Sequence, residues 1–201
     1  MAFKSGILPR GFKAEAERIA VRFRGELRLS KFAPLDAFKL AVHMEVLVIP
    51  VSRFGLSPEC LGHLHGTSLK KIQWFAMTMI GEDGTKRVIH NDNVAPTRQQ
   101  SDIMHELSHI ICRHEHEGED TRFGFPVRKY NDGHEAQAEC LGATLQLPKP
   151  ALFWQTKEGH TPEEIAAYYT ASPAMVRRRL GESGVSRIRK YRPTAQPTTT
   201  I

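Results

Sequence analysis

From Ala95 onward the chain reads APTRQQSDIMHELSHIICRHE. Within it Ile103, Leu107, Ile110 and Ile111 recur at helical spacing, while His105 and His109 sit four residues apart and so share another face of the same helix. Such a helix has two committed sides. One must be buried in a core, and the other presents two imidazoles to a single point, so any fold open to this chain has to flank this helix with apolar packing on one side and a polar site on the other. Thr97 with Gln100 three residues later fits a capping box, which predicts an N-cap at Thr97, just after Pro96.

The remaining pattern predicts what that core is made of. Lys13 to Leu29 reads as a helix from Ala16, Ile19, Ala20 and Phe23, and Pro34 to His43 as a second. Val46 to Ile49 is a short β-branched run closed by Pro50, a buried strand. A polar, glycine-dotted passage follows to Lys71. Trp74 to Ile80 and Lys86 to His90, separated by the turn residues of GEDG, predict a hairpin. Periodicity is lost from Glu115 to Gly133, long for a plain connection and therefore read as a functional loop or lid. Helix resumes at His134 and runs to Leu147, stopped by Pro148 and Pro150.

The chemistry sits at His105, Glu106 and His109. Residues i and i+4 can bring two imidazole nitrogens to one zinc ion at about 2.0–2.1 Å. Glu106 lies about 100° around the helix from His105, placed to act as general base on a water rather than as a ligand. A catalytic zinc needs a third protein group and leaves a fourth position open. HEAQAECLGATLQLP offers two carboxylates for this, Glu135, 26 residues past His109, and Glu139, four residues further on the same helix face. One would complete the ligand set, and the other would accept a hydrogen bond from a ligand imidazole. Tyr130, His134, His114 and His116 are candidate oxyanion donors, none assigned. His114-Glu115-His116-Glu117 reads as the charged, frayed end of the helix, and Cys112 as a small buried thiol.

Across about Leu35 to Pro148 these features together resemble the ImmA/IrrE family of zinc metallopeptidases: a strand, the hairpin WFAMTMI to KRVIH, Arg98 and Asp102 ahead of HELSH, then E-x-x-A closing on L-x-L-P. The resemblance implies Glu135 as third zinc ligand and Glu139 as the supporting carboxylate. It also implies an α+β, zincin-like metallopeptidase with a small mixed or antiparallel sheet and an H-E-x-x-H active-site helix. The activity implied is zinc-dependent endopeptidase, with Glu106 as base and a helix-turn-helix repressor as protein substrate, cut to switch on a prophage, mobile-element or stress-response operon. This sequence departs from the family pattern at Gln146, where an apolar residue is usual, and over Cys140 to Gly142.

Beyond the site, HTPEEIAAYYTASPAMVRRRLGESG holds two helix starts, at Thr161-Pro162 with Glu164 and at Ser172-Pro173, with an end at Gly181. Ile165, Ala166 and Tyr169 make one apolar face, and Met175, Val176 and Leu180 the other, a helix-turn-helix-like pair carrying Arg177, Arg178 and Arg179 on its second helix. The expected organisation is a peptidase domain over 1–155, a helical appendage over 156–192 and a disordered tail over 193–201. Net charge is +6 and the pI near 9.4, which favours an acidic partner, so DNA contact through the three arginines stands beside docking onto the core or gripping a substrate. The alternative to an enzyme is a metal-containing regulatory or DNA-binding protein that acts through these basic helices. Three cysteines without paired spacing, and the lack of a signal or membrane span, predict reduced thiols, no membrane contact and a cytoplasmic protein.

Overall fold

Small residues on one face of the first helix let the rest of the core approach it. The computed structural model describes residues 8–66, 74–81, 83–114 and 131–190, with side chains to 187. Helix α1 (Phe12–Glu26) buries Ala16, Ala20 and Phe23, and α2 (Ala37–His43) starts on Asp36, whose carboxylate accepts from the Lys39 amide. Strand β1 (Leu47–Pro50) follows. The polar passage after it contains a 3-10 turn at Val51–Arg53 and α3 (Pro58–Leu64), the latter missed from the sequence although Ser57-Pro58 marks its start.

Strands β2 (Ala76–Ile80) and β3 (Lys86–His90) form the expected antiparallel hairpin, with Thr78 opposite Val88. Strand β1 pairs in parallel with β3, Val48 against Val88, so the sheet is mixed in the order β1-β3-β2. The α+β architecture is as expected. Helix α4 (Pro96–Ile111) and α5 (Asp132–Gln146) pack across this sheet and α1. Ile103, Met104 and Leu107 of α4 join Leu141 and Leu145 of α5 in the main core, each fully buried and each worth about 1.5–3 kcal/mol of burial.

The capping box expected at Thr97 does not form. Pro96 occupies the first helical position with Ala95 as an N-cap that makes no side-chain bond, because proline's fixed φ already suits the first turn. Gln100 is instead buried against α2, accepting from the Ala37 amide at 2.7 Å and donating to Asp36 at 2.7 Å. It joins two helix starts.

Four helices complete the described residues: α6 (Lys149–Lys157), α7 (Pro162–Tyr168), α8 (Pro173–Glu182) and α9 (Val185–Lys190). Pro148 and Pro150 end α5 but also open α6, since proline is tolerated where amide donors have no helical partner. The capping box of Thr161 with Glu164 is complete, and Ser172 caps α8. These helices build a second apolar cluster that begins at Leu147 and takes in Leu152, Ile165, Val176 and Val185, so α6 packs with the appendage rather than belonging only to the residues before 156.

The turn between α7 and α8 explains the departure at Gln146. Thr170 stands in the left-handed region at φ 49°, a conformation that costs a β-branched residue about 1–2 kcal/mol. The buried Gln146 amide donates to its carbonyl at 2.8 Å, tying the turn to α5. Because the Thr170 side chain is exposed, Thr170→Gly should raise stability by about 1 kcal/mol, read as a higher urea midpoint with unchanged slope.

Residues 115–130 of the expected lid, with His116 and Tyr130, and the tail over 193–201 lie outside the described residues. Residues 131–133 belong to the start of α5, where the Asn131 side chain caps the amides of Gly133 and His134. Among the described residues no helix is long and apolar enough to cross a membrane.

Candidate metal centre

The site lies where α5 crosses α4, on the side away from the core stripe. His105 and His109 project from α4 toward the first turn of α5, where Glu135 waits. His109 Nε2 stands 3.0 Å from His105 Nε2, His105 Nε2 stands 3.2 Å from one Glu135 oxygen, and His109 Nε2 stands 3.6 Å from the other. Donors at about 2.0–2.1 Å from a tetrahedral zinc are about 3.3 Å apart, so these three separations fit one such ion. One ligand atom from each residue lies within 4.8 Å of the others, the one such grouping of three metal-binding side chains among the described residues. Burial differs across the set. His109 is 2% exposed, while His105 and Glu135 keep 31% and 25% of their side chains open, so the site is anchored inside and reached from one side.

Electrostatics agree with this geometry. Burial alone would raise the Glu135 pKa, but hydrogen bonds and charge from His105 and His109 outweigh it and hold the carboxylate below its usual range. It is an anion across the neutral range, as a metal ligand must be.

Glu106 is buried at 7% exposure and accepts a hydrogen bond from Thr78 Oγ1 at 2.7 Å. Thr78 comes from β2 and was not singled out in the sequence. The signal for it is faint: a polar residue inside the apolar strand AMTMI. Ahead of these residues Arg98 pairs with Asp102 at 2.9 Å and lies over the Phe75 ring. Burial raises the Asp102 pKa, partly offset by Arg98.

Glu139 does not support an imidazole. It pairs with Arg178 of α8, because four residues along α5 carry it past the crossing point with α4 and into reach of the appendage. The contact to His109 comes from His114, whose Nδ1 lies 2.8 Å from His109 Nδ1. His114 is therefore not part of a frayed helix end; it is 8% exposed, with His134 stacked on it at 4.2 Å. Cys112, expected to be a small buried thiol, is only half-buried against the main core, and its pKa is pushed up to about 11 by burial and then by the neighbouring Cys140.

Gly142 sets how closely the two helices meet. A Cβ there would stand 3.2 Å from the backbone of Met104 and His105. Backbone in the middle of a buried helix gives little, so Gly142→Ala should cost about 1–3 kcal/mol. It should also weaken metal binding by drawing Glu135 away from His105, which a competition titration with a chromophoric chelator would detect.

The arginines of α8 are held by the protein itself. Arg177 pairs with Glu163, Arg178 with Glu139 and Glu182, and the buried Arg179 with Glu17 at 2.8 Å and the Leu147 carbonyl at 3.1 Å.

The Peptidase M78 family model, described as the IrrE N-terminal-like domain, matches residues 67–181, more than half of the chain. The chain belongs to this family. The match takes in the hairpin, both site helices and most of the appendage, and stops inside α8. Family and geometry together make this a peptidase with a His, His, Glu group able to hold a metal. No curated protein matches the chain.

Proposed function

We propose that this protein is a zinc-dependent endopeptidase of zincin-like fold whose metal is held by His105, His109 and Glu135. The observation that carries the reading is the spacing of those three donors, 3.0 to 3.6 Å apart, with the buried Glu106 next to His105 in α4. Bound there, zinc supplies Lewis acidity and lowers the pKa of a water toward about 7. Glu106 takes the proton from the attacking water and returns it to the leaving amine. Thr78 occupies one Glu106 oxygen, leaving the other for this transfer. Strand β2 forms one edge of the sheet among the described residues, and it carries Thr78, so a substrate chain added along that edge lies beside the base.

The substrate we propose is a helix-turn-helix repressor, cut once or a few times to switch on a prophage, mobile-element or stress-response operon. Family membership supports this choice. Residues 156–192 then serve as a helical appendage docked on the peptidase core, a role that fits the internal pairing of Arg177, Arg178 and Arg179 better than DNA reading does. The test is to measure zinc per chain and then incubate the loaded protein with the repressor encoded beside it, with and without chelator. One equivalent of zinc and chelator-sensitive fragments by mass are expected. Fragments that persist in chelator, or none from the loaded protein, would reject the reading.

A further inference from the structure

Helix α4 ends in a way that returns the chain to its own metal-facing side. Arg113 adopts the left-handed conformation at φ 55°, although it is not glycine. The Arg113 amide donates to the Ile110 carbonyl at 3.1 Å and the His114 amide to the His109 carbonyl at 3.1 Å, the two bonds of a Schellman ending. Such an ending sets the residue after the left-handed one against the residue that begins the last turn. Here those two are His114 and His109, and an imidazole pair stands where an apolar contact is usual.

The direction of the hydrogen bonds follows from one requirement. A neutral imidazole carries one N–H, so a His109 that offers its Nε2 lone pair to a metal must keep its proton on Nδ1. That nitrogen faces His114 Nδ1 at 2.8 Å, and one proton lies between them. His109 therefore donates, His114 Nδ1 accepts, and the proton of His114 resides on Nε2. The group 3.4 Å from that Nε2 is the Gln137 amide oxygen, an acceptor. Each link in the chain has the polarity the next one needs. The first turn of α5 holds the ring in place, with His134 stacked at an interplanar angle of 6° and Gln137 one turn on.

We infer that His114, backed by Gln137, is a positioning residue that fixes the tautomer and orientation of His109 so that Nε2 is presented to the metal. This rests on the zinc site proposed above. It assigns to a histidine, from the helix's own C-terminal turn, the supporting role that a carboxylate fills in many metal sites. Because the support is neutral, it orients His109 without adding negative charge to the site.

The test uses the full chain loaded with zinc. In the wild-type protein, nitrogen NMR should show His109 protonated on Nδ1 and coupled through the hydrogen bond to His114 Nδ1. His114→Phe keeps a ring for His134 to stack on but removes the acceptor, and should weaken zinc binding by about 10–100-fold in chelator competition. Gln137→Leu should weaken it less, and Gln137→Glu, which restores an acceptor, should recover affinity. Thermal midpoints of the metal-free variants give the control, since a merely structural role would lower these without the rescue by Glu. Equal zinc affinity in wild type and His114→Phe, or a wild-type spectrum in which the His109 Nδ1 proton shows no coupling to His114 Nδ1, overturns the inference while the zinc site stands. Failure of the wild type to bind zinc overturns the site itself. Should His114→Phe not fold, the wild-type spectrum and the Gln137 pair decide.

Discussion

Glu106→Gln is expected to bind zinc as the wild type does and to lose about 10²–10⁴-fold in kcat. The amide keeps the size of the side chain and can still accept from Thr78, so the pocket and the neighbouring imidazoles are undisturbed. What it cannot do is accept a proton from water at neutral pH. The loss therefore belongs in kcat rather than in metal affinity or KM. Thr78→Val makes the companion measurement: it removes one hydrogen bond to the base and leaves the base itself, so a smaller loss is expected, about tenfold. A Glu106→Gln protein that retains a tenth of its activity would remove Glu106 from the reaction. One that loses its zinc would make Glu106 a structural group.

The largest expected effect on stability comes from a residue far from the reaction. Arg24 lies in α1, 0% exposed, and its guanidinium donates to the Ala33 carbonyl at 2.8 Å, Ala20 at 3.0 Å and Leu145 at 2.9 Å. Leu145 is in the last turn of α5, where carbonyls have no helical partner, so the cation closes that helix end and meets its negative pole. Burial lowers the Arg24 pKa to about 10, partly countered by Tyr169 and Glu17, and it stays charged at neutral pH. Arg24→Ala leaves a cavity and strips the Ala33 and Leu145 carbonyls of their donor, a loss of about 3–5 kcal/mol. That is a large part of the 5–15 kcal/mol typical of a domain. Arg24→Lys should recover little, because an ammonium cannot fork to three carbonyls. Urea unfolding measures both, and a loss under about 1 kcal/mol for Arg24→Ala would show that water replaces the guanidinium.

The two predictions differ in how visible their residues were. Glu106 stood out because His105 and His109 at i and i+4 mark a helix face, and its place follows from the helical repeat alone. Arg24 did not. A basic residue on an amphipathic helix reads as solvent-facing, and nothing local indicates that a carbonyl 121 residues away will need it. Thr78 was missed for the same reason, since its partner Glu106 lies 28 residues on.

Glu135 and Glu139 show where the boundary falls. Both lie on one face of α5, and spacing admits either toward the imidazoles. The crossing of α4 and α5, held close by Gly142, places Glu135 at the site and leaves Glu139 to Arg178.

Local order in the chain determined the helix with two committed faces, the hairpin, the caps at Thr161 and Ser172, and the identity of the imidazole pair, because periodicity and capping act over a few residues. Tertiary structure decided the strand order, the choice between two carboxylates and the burial of Arg24. Those depend on which surfaces meet across the chain, and only packing of the helices on the sheet brings them together.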